Sequence, residues 1–403
     1  MLINRHKELE SFCGQLRRAA VPVAFDTEFM SERRYFARLC LVQVRAETPS
    51  GVLEALIDPF AGGLAPLLEI LADAAITKIV HAGGQDLQIF FHGYGCATQN
   101  VFDTQIAAAF LGYGHQAGYA EVVRRVLNGP QLSKDQQFTD WSARPLSTEQ
   151  MEYALKDVRY LPEIYAVLRR ELEARGRLAW AETEFRRAEA RACAATSPDE
   201  LYQKFNWSGL SRRQLAALRE LAATRDTLAQ SIDKPPSFIV SDPVLLQIAK
   251  QQPTTAAELR AVRGVSNLSE AHAREFLAAL RRAAELPADQ LPERIYNERP
   301  DPQTDNVATL LGVMAQLRAG EHDIARTYLA PRDQLTALAS WWLRHGRAAD
   351  GAPPPDLPLL EDWRRELLGA ELLDVLQGRR ALLFDATPDQ PPLRLIDSAL
   401  RVP

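Results

Sequence analysis

Hydrophobic and polar residues alternate near the N-terminus in the way that is typical of β-strands. In residues 21–29, Val23 and Phe25 can face a core while Asp26 and Glu28 point to the opposite face, because strand side chains alternate with period two. Further strands are predicted at residues 35–44 and 51–57, with short turns between them. The pattern therefore predicts an antiparallel meander with two carboxylates at the end of its first strand.

Helical periodicity appears after the meander. A helix is predicted near residues 64–74 and a short buried strand at residues 78–81. In the next helix, Leu87, Phe90 and Phe91 share one face, which leaves Asp86 near the N-terminal end, where the helix dipole favours negative charge. This part of the chain is therefore predicted to be mixed α/β.

Two later segments carry helix-start signals. Asp103 stands before an Ala-rich helix, where capping is favoured over metal binding. Ser147 and Gln150 have the spacing of a capping box that opens a long helix. On that helix Tyr153 and Asp157 are four residues apart and lie on one face.

Proline-rich and polar stretches divide the rest of the chain into helical parts. We predict a nuclease-type α/β domain with a mixed sheet, followed by two all-α domains. The predicted boundaries are 1–196 for the α/β domain, 197–208 for a linker, 209–286 for the first helical domain, 287–305 for a second linker, 306–384 for the second helical domain and 385–403 for a partly unstructured tail.

Composition narrows the class of protein. The 403 residues are 46% hydrophobic, but no run of 18 apolar residues predicts a membrane span, and the N-terminus lacks the apolar segment of a signal peptide. The four cysteines form no Cys-x-x-Cys pair, so neither a zinc site nor a disulfide framework is indicated. We therefore expect a cytoplasmic protein in which carboxylates hold any metal.

Charge gives only local support for nucleic-acid binding. The net charge is −5, yet residues 209–282 contain eleven Lys/Arg against seven Asp/Glu. Asp26 and Glu28 suit Mg²⁺ or Mn²⁺, which prefer oxygen ligands. Taken alone, such a pair is more often two ordinary surface acids at a strand end, so the assignment depends on other motifs.

Three ordered segments resemble the exonuclease motifs of the DEDD superfamily in its tyrosine subclass. They are residues 26–29 (Asp-Thr-Glu-Phe), 81–87 (His-Ala-Gly-Gly-Gln-Asp-Leu) and 153–157 (Tyr-Ala-Leu-Lys-Asp). Residues 132–134 and 141–147, with Gln150, resemble the ribonuclease D family specifically. Residues 219–280 resemble an HRDC (helicase and ribonuclease D C-terminal) domain, and the last helical part resembles a second, more degenerate one.

The resemblance implies a fold like that of ribonuclease H and two divalent ions, Mg²⁺ or Mn²⁺. It implies that Asp26, Glu28, Asp86 and Asp157 hold the ions and that Tyr153 orients the attacking water. A phenol with a pKa near 10 is a poor base at neutral pH, so the metal must supply most of the activation.

Substrate contacts are expected from four further residues. Phe29 and Leu87 are candidates for contacts with the terminal bases, and Lys134 or Arg144 for contacts with a phosphate. The alternatives are a core position for Phe29 and a solvated loop charge for Lys134.

The leading hypothesis is a 3′–5′ exoribonuclease that releases 5′-monophosphates and trims precursor tRNA and other small structured RNAs. Its partner is RNA with a free 3′ end, and no membrane and no obligatory protein partner are implied. A DNA exonuclease and a non-catalytic RNA-binding protein on a nuclease fold are the alternatives.

Overall fold

The computed structural model describes residues 1–132, 139–194, 197–207, 209–265, 268–293, 302–346, 352–384 and 393–397. The chain divides into two units. The first contains Met1–Val101, Lys134–Pro162 and Arg186–Asn297, and the second contains Phe102–Ser133, Glu163–Phe185 and Glu298–Pro403. Each unit is made of three separate stretches of the chain, so this division does not test the consecutive domains predicted from the sequence. Those boundaries stay a prediction.

A mixed sheet forms the centre of the N-terminal region. Its strands are β1 (Leu2–Ile3), β2 (Val23–Met30), β3 (Arg38–Thr48), β4 (Gly51–Ile57), β5 (Lys78–Val80) and β6 (Val101–Asp103). The five strands in the first unit are ordered β1-β4-β3-β2-β5. The pairs β2/β3 and β3/β4 are antiparallel, which confirms the predicted meander, while β1/β4 and β2/β5 are parallel.

Nine helices accompany these strands in the described residues up to 194. They are α1 (His6–Ala19), α2 (Pro59–Gly62), α3 (Ala65–Ala72), α4 (Gly84–Tyr94), α5 (Thr104–Ala109), α6 (Tyr119–Leu127), α7 (Thr148–Arg159), α8 (Leu161–Ala174) and α9 (Leu178–Cys193). The main core forms where α1, α3 and α4 cover one face of the sheet. There the rings of Phe25 and Phe90 meet edge to face at 5.8 Å, a favourable aromatic arrangement.

The first helical domain is all-α, as expected, with five α-helices among its described residues. They are α10 (Arg212–Ser231), α11 (Pro236–Ile239), α12 (Asp242–Gln251), α13 (Ala256–Ala261) and α14 (Glu270–Glu285). Helix α10 begins with a complete capping box between Ser211 and Gln214. Leu218, Leu221 and Phe276 lie in its fully buried core.

The C-terminal part of the second unit is helical, as expected, and ends in a pair of strands. Its elements are α15 (Pro302–Glu321), α16 (Arg326–Leu329), α17 (Arg332–Trp341), α18 (Asp362–Arg364), α19 (Ala370–Leu376), β7 (Arg380–Phe384) and β8 (Leu393–Asp397). The boundary at 384 and the partly unstructured tail stay predictions; among the described residues, two strands follow α19. There β7 pairs with β8 in an antiparallel ladder from Arg380–Asp397 to Phe384–Leu393.

A buried ion pair anchors this C-terminal part within the second unit. Arg364 donates to Glu184 Oε1 at 2.7 Å and to the carbonyl of Tyr328 at 2.7 Å, and the side chains of Arg364 and Glu184 are each 5% exposed. The Trp363 ring stacks on Trp180 at 5.2 Å. Within the described part of the chain, no helix has the length and apolarity needed to cross a membrane.

Candidate active site

Strand β2 carries the first two acids past the point where its parallel neighbour ends. In β2, Val23 and Ala24 pair with Lys78 and Ile79 of β5. Asp26 and Glu28 lie further along β2, beyond the end of this pairing. On the other side β3 continues to pair with both acidic positions. The two carboxylates therefore stand on a strand held by β3, close to where the chain leaves β5 and enters α4.

Helix α4 covers one face of β2 and brings Asp86 to it. Phe25 contacts α4 through Phe90, and the Thr27 hydroxyl donates a hydrogen bond to Asp86 Oδ1. Asp86 is buried in the first turn of α4, as the sequence predicts. The turn before it is tight, since a Cβ on Gly83 would lie 2.6 Å from the Val80 side chain.

Helix α7 packs against β2 and β3 and supplies the last two residues of the motif set. It begins with the predicted capping box of Ser147 and Gln150. Met30, which shares the strand face of the two acids, packs in the same small core as Tyr153. Asp157, one turn beyond Tyr153, is thereby carried on a helix that packs against that face.

The acids perturb one another's protonation. Burial, followed by the charge of Asp157, raises the pKa of Asp26 to about 7. Burial also raises the pKa of Asp157 to about 7, against the opposing charge of Lys156. Burial and the charges of Asp26, Asp157 and Asp86 raise the pKa of Glu28 to about 9. All four carboxylates therefore belong to one electrostatic cluster.

Tyr153 titrates above its ordinary range for the same reasons. Burial and the nearby charges of Asp157, Glu28 and Asp26 raise the pKa of its phenol. Its ring centroid lies 6.1 Å from that of the buried Trp141. The phenol stays protonated at neutral pH, so it can hold a water molecule by hydrogen bonding but cannot act as a general base there.

The four carboxylates are the type of ligand that hard divalent cations prefer. The charges of Asp26, Asp157 and Asp86 raise the pKa of Glu28, so a positive charge would stabilise the ionised acids, and Mg²⁺ and Mn²⁺ prefer oxygen ligands. Among the residues that the structure describes, no three His, Cys, Asp or Glu side chains form a ready-made metal cluster. The fit between these acids and a divalent cation therefore rests on the type of ligand atom and on the charges that the acids exert on Glu28.

The residues that were predicted to contact the substrate differ in their burial. Leu87 is 3% exposed within the main core, and Phe29 is half-buried and packs against that core. Lys134 lies outside the described residues. Asp103 is a helix cap, since its carboxylate accepts from the backbone N–H groups of Gln105 and Ile106. That capping interpretation is confirmed, while contacts of Phe29 and Leu87 with bases stay predictions.

The guanidinium of Arg144 lies in an internal network. It makes a two-pronged ion pair with Asp58 at 2.6 and 3.0 Å and donates to the carbonyls of Cys40 and Trp141 at 2.6 and 2.9 Å. It also stacks over the Phe60 ring at 4.6 Å. A phosphate contact of Arg144 stays a prediction, because these partners already occupy most of its donors.

Sequence reasoning missed Asp58 as the partner of Arg144. Burial opposes ionisation of Asp58, but hydrogen bonds from Arg144 and from the Phe60 N–H hold its pKa below the usual value. The only local signal was the Asp58-Pro59 turn, in which Asp58 also caps the short helix α2.

Comparisons with known proteins agree with this arrangement. A family model described as a 3′-5′ exonuclease matches residues 2–173, and an HRDC domain model matches residues 214–280. Ribonuclease D of Granulibacter bethesdensis is 35% identical over 95% of this chain and 94% of its own, and that of Sphingobium indicum is 36% identical over 94% and 95%.

Solved structures extend the agreement to three dimensions. Escherichia coli RNase D, described as an exoribonuclease involved in structured RNA processing, has a TM-score of 0.80 and 33% identity over 94% of this chain and 98% of its own. A protein from Bifidobacterium adolescentis has a TM-score of 0.67 and 25% identity over 94% and 97%. These similarities confirm the α/β nuclease fold and the first HRDC domain. The chain belongs to the ribonuclease D family of 3′–5′ exoribonucleases, whose exonuclease fold is metal-dependent.

Proposed function

We propose that this exoribonuclease removes nucleotides from the 3′ end of RNA as 5′-monophosphates and trims precursor tRNA and other small structured RNAs in the cytoplasm. The observation that carries the proposal is the convergence of Asp26, Glu28, Asp86 and Asp157 from three separate elements: Thr27 on β2 holds Asp86 of α4, α7 packs against β2, and the charges of the other three acids raise the pKa of Glu28. Such clusters of perturbed groups mark functional sites more often than chance.

In this proposal the four carboxylates hold two Mg²⁺ or Mn²⁺ ions. When bound, paired ions supply charge stabilisation for the attacking and leaving oxygens of a phosphodiester displacement. Asp26 and Glu28 contribute from a strand held by β3, and Asp157 from a capped helix, so their carboxylates are positioned before substrate arrives. The Tyr153 hydroxyl, which remains protonated, holds the attacking water.

The proposal is tested with Asp26→Asn and Asp157→Asn on a 3′-extended RNA in Mn²⁺ or Mg²⁺. Each variant should lower kcat by at least about 10³-fold, because it removes a charged group from the proposed site of phosphoryl chemistry. Glu152→Gln is the matched control, since Glu152 is an exposed acid on the same helix. Undiminished digestion by both Asp variants would defeat the assignment.

Two alternatives are distinguished by the same purified protein. Parallel digestion of matched RNA and DNA strands separates a ribonuclease from a DNA exonuclease, because metal-assisted hydrolysis suits both. RNA binding without metal-dependent turnover would favour a non-catalytic role.

For the first HRDC domain we propose that it recruits structured RNA. Arg263 and Arg274 are exposed on this domain, in the region with local basic excess. Replacing both with Ala should raise KM for a structured precursor several-fold more than for a short single strand. Equal changes for both substrates would contradict recruitment.

A further inference from the structure

Gln43 is a buried polar residue of β3 that lies directly opposite Asp26. The register of the β2/β3 ladder pairs the two positions, and Gln43 is 0% exposed. Directly opposite residues of an antiparallel pair project from the same face of the sheet, with Cβ atoms about 4.5–5.5 Å apart. The side chains of Gln43 and Asp26 are therefore neighbours on the face that α7 covers.

The amide of Gln43 makes no hydrogen bond to any residue that the structure describes. Its Nε2 and its Oε1 are both buried and both lack a partner. An amide group offers two donor hydrogens and one acceptor oxygen, and buried groups of this kind are nearly always hydrogen-bonded in folded proteins. An apolar side chain at this position would fold more easily, so the amide points to a partner that it binds in another state of the protein.

The other neighbours of Gln43 on this face of the sheet offer its amide no acceptor. Leu41 lies two positions earlier on β3, Leu56 lies opposite Gln43 on β4, and both belong to the small core beneath α7. Arg45 lies two positions later, and its guanidinium donates to Glu54 at 2.6 Å. Of these neighbours, the acid opposite on β2 is the one with a carboxylate that can accept a hydrogen bond.

A carboxylate that ligates a cation needs a fixed orientation. Hydrogen bonds to the ligating group supply it, and the loss of such a partner typically lowers metal affinity or activity by about 10–100-fold. The terminal torsion of a Gln side chain is broad, so the Gln43 amide can turn toward Asp26 without a shift of the backbone. Gln43 therefore has the position and the chemistry of a partner for a ligating Asp26.

We propose that Gln43 is a positioning residue for Asp26. When the acids hold a divalent cation, the Nε2–H of Gln43 donates a hydrogen bond to the Asp26 carboxylate and fixes its orientation. The inference rests on the proposed function, because it takes Asp26 to be a cation ligand. Gln43 acts through Asp26 and contacts neither the cation nor the RNA.

The test is calorimetric titration of the full chain with Mn²⁺ alone, without RNA. In Gln43→Met, which keeps the length of the side chain but removes its donors, the Kd for Mn²⁺ should rise about 10-fold. Thr98→Val is the matched control, since Thr98 Oγ1 is likewise buried without a partner among the described residues, in the segment between α4 and β6. Its Kd should equal that of the wild type, and an equal Kd in Gln43→Met would overturn the inference.

Thermal unfolding in EDTA separates positioning from a structural role. Replacing a buried amide that has no partner with an apolar group of similar shape is nearly neutral or stabilising, so Gln43→Met should unfold at the wild-type temperature or above it. Added Mn²⁺ should then raise the unfolding temperature of the variant less than that of the wild type, because weaker binding stabilises less. Lower stability in EDTA with an unchanged response to Mn²⁺ would show that Gln43 is structural and would overturn the inference.

A measurement on the wild-type protein covers the case in which the substitution perturbs folding. In protein with isotope-labelled Gln side chains, the amide signals of Gln43 are identified by their contacts with the methyl groups of Leu41 and Leu56. Saturating Mg²⁺ should move one of the two amide protons downfield, as a new hydrogen bond to a carboxylate does. Unchanged Gln43 signals at saturating Mg²⁺ would also overturn the inference.

Kinetics distinguish failure of this inference from failure of the proposed function. In hydrolysis of a short unstructured RNA, Gln43→Met should need about 10-fold more Mn²⁺ for half-maximal rate, with little change in KM for the RNA. Absence of both Mn²⁺ binding and hydrolysis in the wild type would defeat the proposed function and the inference with it. Wild-type binding and hydrolysis with the same Mn²⁺ dependence in Gln43→Met would defeat the inference alone.

Discussion

Arg144 provides the sharpest test of how the loop before α7 supports the active site. The sequence suggests that it contacts a phosphate, whereas the structure gives its guanidinium the carboxylate of Asp58, main-chain carbonyls and the Phe60 ring. Replacing Arg144 with Ala leaves Asp58 buried without its cation. The two interpretations predict different effects of this one substitution on stability and kinetics.

The expected loss of stability follows from burial. Breaking a fully buried ion pair costs about 3–5 kcal/mol, while exposed pairs contribute about 1 kcal/mol or less. The Asp58 side chain is 9% exposed and that of Arg144 is 25% exposed, so the pair lies between these limits. We expect Arg144→Ala to lower the free energy of unfolding by about 2–4 kcal/mol. Arg144→Lys should lose about half of this, because Lys cannot form the planar two-pronged pair.

The effect on catalysis should reach Tyr153 through Trp141. Arg144 donates to the Trp141 carbonyl at 2.9 Å, and the Trp141 ring contacts Tyr153. Loss of this link should lower kcat on a short unstructured RNA by about 10-fold, equivalent to about 1.4 kcal/mol, with a smaller change in KM.

Urea denaturation and initial rates measure both effects, and a double-mutant cycle with Asp58→Ala isolates the pair. We expect a coupling energy of about 1–3 kcal/mol, as found for contacting residues. Additive effects, with unchanged stability of Arg144→Ala and a KM that rises at constant kcat, would refute the positioning role and favour the phosphate contact.

Three further predictions concern other charged groups. In EDTA, the free energy of unfolding should fall as pH rises from about 5 to 9, because Glu28 binds its proton more tightly in the folded protein, and Glu28→Gln should flatten this slope in thermal denaturation. Arg364→Met should cost about 3–5 kcal/mol by urea denaturation, and the added change Glu184→Leu should recover part of it, since no buried charge is then left unpaired. Asp233 Oδ1 accepts from the backbone N–H groups of Tyr35 and Phe36, so Asp233→Ala should lower stability by about 1–3 kcal/mol and speed hydrogen exchange of these two amides, whereas unchanged exchange would contradict this contact.

The acids were predictable from sequence because each motif specifies its geometry locally. Strand alternation puts Asp26 and Glu28 on one face, and a helix start places Asp86 in a first turn. One helical turn separates Tyr153 from Asp157. The prediction that these residues lie together depended on the family resemblance, because the sequence of one segment does not show which other segments it contacts.

The remaining features depend on partners far away along the chain. Arg144 and Asp58 are 86 positions apart, and Tyr35 and Asp226, whose side chains share a hydrogen bond, are 191 apart. Local propensity carries no information about such pairs. The C-terminal strand shows the same limit, because its proline-rich surroundings suggested a partly unstructured tail and gave no sign that residues 393–397 pair with β7.

Metal binding by this cluster must displace protons, and the displacement can be measured. At pH 7 a Glu28 with a pKa of about 9 is largely protonated, and Asp26 and Asp157, with pKa values of about 7, are about half protonated. Cation ligands must be deprotonated, so binding of Mg²⁺ or Mn²⁺ should release protons at pH 7 and almost none above pH 10.

Calorimetric titration in buffers with different ionisation enthalpies measures this release. By linkage, the apparent affinity for the cation should rise with pH through the same interval, because fewer protons then compete for the oxygens. Asp157→Asn should reduce the proton count, whereas Glu152→Gln should leave it as in the wild type. Cation binding at pH 7 without proton release would show that the ion is held elsewhere, and the perturbed pKa values would then have to be explained by burial alone.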